Sequence, residues 1–229
     1  MTEMATIVLL APGSPPSCLS VIEADINPDV WATQGVVVCA LTATQVHMHL
    51  KDPTLFPYHK HCPLKPKAQK VLIPIVTSLK RQGILRECSS PCNTLILGIP
   101  KPNGEWRLVQ DLQAINEAVI PIHLIVSNPY MLLAQISETA RWFTVLDLKD
   151  AFLCIPVHSD SQYRFAFEDL ESQNSQLTWT VLPRGFRDRP HLFGQAFSRD
   201  LSEFSYDSCT LLQYVDDLLL CATSEDLIS

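Results

Sequence analysis

Thr210-Leu211-Leu212-Gln213-Tyr214-Val215-Asp216-Asp217-Leu218-Leu219-Leu220-Cys221 is the stretch on which the fold is decided. Two apolar runs, Thr210–Tyr214 and Leu218–Cys221, flank an acidic pair. Each run has strand length and little separates them, so the pattern predicts a β-hairpin with carboxylates at its tip. The Asp pair resists the burial that its flanks demand. A divalent cation resolves the conflict, because Mg²⁺ takes one or two protein carboxylates together with phosphate and water oxygens. Two such ions about 4 Å apart clamp an in-line phosphoryl transfer. That arrangement needs a third carboxylate, and Asp147, near the end of the apolar run Trp142–Leu148, is the best donor. The bland alternative is a polar turn that binds nothing.

Outward from the hairpin, helix and strand signals mix. Leu192, Phe193, Ala196, Phe197 and Leu201 mark an amphipathic helix, and Leu177–Leu182 a strand followed by Pro183-Arg184-Gly185. Tyr163, Phe165 and Phe167 alternate with Arg164 and Ala166, which predicts another strand. Pro129 opens a short helix over Tyr130–Ile136. Thr94–Ile99 and Trp106–Gln110 read as strands joined through Pro102-Asn103-Gly104, and Asn-Gly is a hairpin signal. Ala68, Val71, Leu72, Ile75, Val76 and Leu79 keep helical spacing between Pro66 and Gly83. Pro74 is expected to kink or break that helix, at about 3 kcal/mol. Val36–Ala43 reads as a strand, and residues 1–30 as an irregular tail. Without a regular βαβ repeat, the class is α+β around an antiparallel sheet.

Composition sets the outer bounds. The chain has 229 residues, 47% hydrophobic and 18% charged, enough apolar material for a packed core. The formal charge of −7 argues against a polyanionic partner until its distribution is read. Residues 1–50 carry −4, residues 51–110 carry +7 and residues 111–229 carry −10. A basic block beside an acidic one suits a polyanion on one side and metal ions on the other. No apolar run approaches the roughly 18 residues of a membrane span, and no basic flank marks a signal peptide. The eight Cys lack regular spacing, so reduced thiols and an intracellular, cytoplasmic setting are expected, with no membrane partner.

Several motifs occur together and in order: Val145-Leu146-Asp147-Leu148-Lys149-Asp150-Ala151-Phe152, Leu182-Pro183-Arg184-Gly185-Phe186 and Tyr214-Val215-Asp216-Asp217. Upstream lie Pro91-Cys92-Asn93-Thr94, Lys101-Pro102-Asn103-Gly104, Trp106–Leu112 and Asn128-Pro129-Tyr130. In order and spacing these resemble the fingers and palm of retroviral reverse transcriptases, with wording closest to gammaretrovirus-like endogenous elements. The resemblance covers residues 50–229. It implies a right-hand polymerase with an antiparallel palm sheet and packed helices, arranged as a tail over 1–50 and a fingers–palm domain over 51–229.

The resemblance further implies that Asp147, Asp216 and Asp217 are the catalytic carboxylates that hold two Mg²⁺, with Mn²⁺ as an alternative. Phe152 matches the aromatic gate that crowds a ribose 2′-OH; its alternative is a core aromatic. Lys101 and Arg107 match cations that grip an incoming triphosphate; their alternative is solvated hairpin charge. Tyr214 and Val215 would lie against primer and substrate sugar. The implied partners are an RNA or DNA template with its primer and deoxynucleoside triphosphates. Two residues depart from the pattern. Arg184 stands where the family has a Gln linked to template positioning, and Arg189 where a small helix-capping Ser is usual. Thumb and ribonuclease H motifs would lie past Ser229, so weak or no activity is expected of this chain by itself. The alternative function is a non-catalytic nucleic-acid binder or a retroelement relic, possessing the parent polyprotein's ribonuclease H only as a label.

Two weaker patterns remain. His47, His49, His59, His61 and Cys62 form an apparent zinc cluster whose spacing fits no standard motif. Lys51, Lys60, Lys65, Lys67, Lys70, Lys80, Arg81 and Arg86 form either a solvated face or a surface along the template path.

Overall fold

The computed structural model describes residues 8–10, 44–60, 63–102, 104–122, 128–148, 151–172, 175–202 and 209–224; at 8–10, 147, 151 and 152 it describes the backbone alone. In chain order the elements are β1 (Val8–Leu10), α1 (Pro66–Arg81), β2 (Leu85–Cys88), β3 (Ile96–Pro100), β4 (Trp106–Gln110), α2 (Gln113–Ala118), α3 (Pro129–Leu133), β5 (Trp142–Asp147), α4 (Ser159–Gln162), β6 (Phe167–Glu168), β7 (Gln176–Trp179), α5 (Arg189–Leu201), β8 (Cys209–Tyr214) and β9 (Asp217–Ala222). Short 3-10 turns occupy Ala151–Cys154 and Tyr163–Phe165. The mixture is helical with antiparallel sheets, and it divides into two compact units interleaved along the chain. One comprises Met1–Val36, Leu124–Ala151 and Pro190–Ser229; the other comprises Val37–His123 and Phe152–Arg189.

The second unit is organised by α1. Pro66 sits in its first turn, where a missing N–H costs nothing, and Gly83 follows its end at φ +71, which a side chain would resist. Ala68, Leu72 and Val76 are buried along the predicted stripe. The expected break at Pro74 does not occur, for the helix continues through it. Pro74 is on the exposed side, so the carbonyl it orphans is on the solvent side, while Leu72 and Val76 on either side are fully buried and hold both halves in place.

Close contact fixes α1 on the β3–β4 hairpin. A Cβ at Gly98 would lie 3.3 Å from Leu72 Cδ1 and 3.1 Å from Trp106 Cε3, so glycine permits this approach. The hairpin pairs Ile96 with Gln110 through Pro100 with Trp106. Its loop closes as the Asn-Gly signal predicts: Gly104 at φ +84 donates to the Lys101 carbonyl at 3.0 Å, and Lys101 N–H donates to the Glu105 carbonyl at 2.7 Å. Asn103 itself lies outside the described residues.

A three-stranded antiparallel sheet, ordered β2-β7-β6, completes the second unit. The strand expected over Tyr163–Phe167 is corrected here. Tyr163–Phe165 forms a 3-10 turn continuing α4, and pairing begins only at Phe167. Phe165, Ala166 and Phe167 are all fully buried, so the core takes three consecutive residues and the alternation is accidental.

The first unit carries a four-stranded antiparallel sheet ordered β1-β5-β9-β8. The irregular reading of residues 1–30 is corrected at Val8–Leu10, which pair with Phe143–Val145. The short run Ala5–Ala11, ended by Pro12, shows too little periodicity to be read alone; the neighbouring strand supplies the hydrogen bonds. The strand expected at Val36–Ala43 lies outside the described residues. Helix α3 begins at Pro129, with the Asn128 side chain accepting from Tyr130 N–H at 3.0 Å. Helix α5 covers the predicted amphipathic residues, and Phe193 stacks on Phe197. Arg189 is its first helical residue, one place inside the capping position expected for it.

Candidate functional site

The acidic hairpin forms as predicted, with one shift. Tyr214 pairs with Asp217, leaving Val215 and Asp216 as a two-residue loop, so Asp217 is the first residue of β9 and no part of the loop. Val215 has φ +57, the one positive φ at a non-glycine among the described residues. A positive first loop position followed by an ordinary second one is the sign pattern of a type II′ turn, which normally takes glycine first. A β-branched residue there is strained by about 1–3 kcal/mol. Such strain persists where surrounding contacts impose it.

On the other side of β9, Asp217 pairs in register with Asp147 of β5. Directly opposed positions in a sheet share a face, so the register places the two acidic residues on the same side of the sheet. Asp217 is exposed, Asp216 half-buried and Tyr214 41% exposed. The fold therefore brings Asp147, Asp216, Asp217, Tyr214 and Val215 to one end of the first unit's sheet. Three carboxylates with oxygen donors only suit a hard divalent cation, so the residues present fit Mg²⁺.

The remaining predicted residues belong to the second unit. Lys101 and Arg107 share the β3–β4 hairpin. Lys101 Nζ pairs with Glu105 at 2.9 Å, and both side chains are solvated. Arg107 is exposed and opposite Ile99, on the face of the hairpin away from Trp106, Leu108 and Gln110. Phe152 lies in the 3-10 turn Ala151–Cys154, where only its backbone is described. Arg184 is exposed beside Gly185, whose φ is +91.

Polar side chains that the sequence reading did not single out hold these segments. Gln110 Nε2 donates to Thr94 Oγ1 at 2.6 Å and to the Phe165 carbonyl at 2.9 Å, and its Oε1 accepts from Trp179 Nε1 at 2.7 Å. Asn116 brackets the Arg184 loop, donating to the Gly185 carbonyl and accepting from Arg187 N–H, both at 2.9 Å. Buried Asp188 accepts from Ile122 N–H at 3.3 Å and from Arg187 Nε at 3.1 Å. The signal for Gln110 was present in the sequence: it is a polar residue in phase with buried Leu108 on a strand.

Residues 99–228 match the family model described as reverse transcriptase (RNA-dependent DNA polymerase). The chain belongs to the reverse transcriptase family. It is 42% identical over 206 residues to the Pol polyprotein of feline endogenous virus ECE1, covering 87% of this chain and 20% of that protein. It is equally similar, at 42% over 203 residues, to the Gag-Pol polyprotein of feline leukemia virus, covering 86% of this chain and 12% of that protein. The Gag-Pol polyprotein of avian reticuloendotheliosis virus gives 42% over 204 residues, 86% of this chain and 18% of that protein. This reverse transcriptase chain thus spans one fifth or less of the length of these retroviral relatives.

The other patterns resolve differently. His47 stacks on His158, with ring centroids 3.8 Å apart, and His59 and His49 are exposed. Among the described residues no group of three or more His, Cys, Asp or Glu side chains converges as a metal site; His61, Cys62 and the Asp147 side chain lie outside that description. Lys51 donates to the Glu117 carbonyl at 2.7 Å, and Lys80 pairs with buried Asp169 at 3.3 Å. Lys60, Lys65, Lys67, Lys70, Arg81 and Arg86 are exposed. Burial raises the pKa of the Cys88, Cys92 and Cys221 thiols, so these groups are protonated at neutral pH. Among the described residues no helix is long and apolar enough to cross a membrane.

Proposed function

We propose that this chain is the fingers–palm portion of an RNA-directed DNA polymerase. The unit built on the β1-β5-β9-β8 sheet acts as palm and the unit carrying Lys101 and Arg107 as fingers. The observation that carries the reading is the register of Asp147 with Asp217 beside the strained Val215–Asp216 loop. Asp147, Asp216 and Asp217 would hold two Mg²⁺. Bound there, the ions supply charge stabilisation for in-line displacement at a phosphate.

In the reaction a primer 3′-OH attacks the α-phosphate of a deoxynucleoside triphosphate: one P–O bond forms, the hydroxyl proton passes to water, and pyrophosphate leaves with the electrons of the broken P–O bond. Lys101 and Arg107 would bind the triphosphate, the role cations generally serve in phosphoryl transfer. Phe152 would exclude a ribose 2′-OH, Arg184 would meet the template, and Tyr214 and Val215 would contact primer and sugar. Primer extension on poly(rA) with oligo(dT) and Mg²⁺ tests the proposal. Template-dependent extension that Asp216→Asn abolishes supports it; extension that survives the substitution overturns it, and absent extension overturns catalysis by this chain and leaves the second reading.

The six exposed cations of the basic block favour one second reading, binding of nucleic acid without catalysis. Filter binding across a salt series would then show affinity that falls steeply with ionic strength while extension stays absent.

A further inference from the structure

We infer that Gln213 is a positioning residue for the acidic loop, acting through the Val215 carbonyl. The inference rests on the proposed role of Asp216 as a cation ligand. Gln213 is half-buried on β8, immediately before Tyr214. Its Nε2 donates to the Val215 carbonyl at 3.2 Å and reaches the Gly194 carbonyl of α5 at 3.5 Å. Its Oε1 accepts from Ser198 Oγ, one turn further along α5, at 2.7 Å. An amide has a donor end and an acceptor end; the Val215 and Gly194 carbonyls can only accept and so face the donor end, while the Ser198 hydroxyl donates to the acceptor end and anchors it to α5.

The contact with Val215 falls at a decisive point. The Val215 carbonyl and the Asp216 N–H share one rigid peptide plane. Holding that carbonyl sets the rotation about Val215 and hence the position from which Asp216 departs. Val215 is also the residue at φ +57, a conformation its branched side chain disfavours. Helix α5, through Ser198 and Gln213, thus gives the strained turn a fixed support. The chain of contacts is contained in one unit and ends at a proposed cation ligand.

Mn²⁺ binding to the full 229-residue chain, read by water-proton relaxation, tests this without reference to turnover. Gln213→Met keeps the shape and removes the donor; its Mn²⁺ affinity should fall about fivefold, the size of one net hydrogen bond. Ser198→Ala should weaken it about twofold, since the amide loses its anchor on α5 while keeping its donor end on the Val215 carbonyl. In a Val215→Gly background, Gln213→Met should cost less than twofold, because glycine takes the first position of this turn unaided. Thermal melting reports whether each variant folds, and Ser198→Ala decides the matter if Gln213→Met does not. Wild-type affinity in Asp216→Asn overturns the cation reading and this inference with it. Weakened binding in Asp216→Asn with wild-type affinity in both Gln213→Met and Ser198→Ala overturns the inference alone. An undiminished fivefold loss in the glycine background also overturns it, since the loss would then not pass through the turn.

Discussion

Replacing Gln110 with Leu should destabilise the unit that presents Lys101 and Arg107. Gln110 closes the base of the β3–β4 hairpin and is 4% exposed. The substitution keeps the volume near its present value but removes three polar contacts, at 2.6, 2.7 and 2.9 Å. The Trp179 indole N–H has one proton and loses its acceptor, with Trp179 only 6% exposed. The Phe165 carbonyl loses its donor in a fully buried residue. Thr94 Oγ1 retains the Ala166 carbonyl at 3.4 Å, so it is compensated. Two buried groups left unsatisfied cost about 1–3 kcal/mol each. Leucine gains some of this back through apolar burial, which leaves a net loss of about 2–4 kcal/mol. Urea denaturation, followed by tryptophan fluorescence, measures the difference against wild type. Gln113→Leu, at an exposed position, is the control and should stay within about 0.5 kcal/mol. A loss under about 1 kcal/mol in Gln110→Leu would refute the reasoning, since the three buried contacts would then be worth no more than a solvent-exposed hydrogen bond.

Three further outcomes follow from the same contacts. Gly98→Val should cost about 1–3 kcal/mol in urea denaturation, because even a Cβ there would sit 3.1 Å from Trp106; an unchanged midpoint would show that α1 moves freely over the hairpin. Burial lowers the Lys80 pKa, but the hydrogen bond and charge of Asp169, with those of Glu87, outweigh it and leave the pKa raised above 10.5. Its stabilisation is therefore complete below pH 10.5 and lost as pH rises through the folded value, so Lys80→Met should cost about 1 kcal/mol at pH 8 and nothing at the alkaline end; a difference independent of pH contradicts the ion pair. Glu105 holds Lys101 in a solvated pair at 2.9 Å, so Glu105→Gln should lower the KM for a deoxynucleoside triphosphate by about two- to fivefold and Lys101→Met should raise it; an unchanged KM in Lys101→Met in steady-state extension removes Lys101 from nucleotide binding.

Much of the site was legible from the chain alone. Apolar runs bracketing an Asp pair require a hairpin with an exposed end, because burial and charge pull the two parts in opposite directions. The helical stripe of Ala68, Leu72 and Val76 was equally local, since a period of 3.6 is written in one segment. Local rules failed where a neighbour decided the outcome. Pro74 remains helical because its flanking residues are buried, which no propensity records. Phe165 enters a turn, since the core receives it beside Ala166 and Phe167. Val8–Leu10 became a strand only because β5 offers an edge.

The sequence by itself determined the acidic hairpin, the longer helices and the residue types at the site, because hydrophobic periodicity and charge are properties of adjacent positions. Only the tertiary structure decided register, and register is what sets Asp147 opposite Asp217 across 70 positions of chain. It also decided the support for the loop. Ser198, Gln213 and Val215 fall into one line of hydrogen bonds because α5 docks on β8. Hydrogen-bond partners distant in sequence leave no periodic trace, so contacts of that kind had to be read from the folded chain.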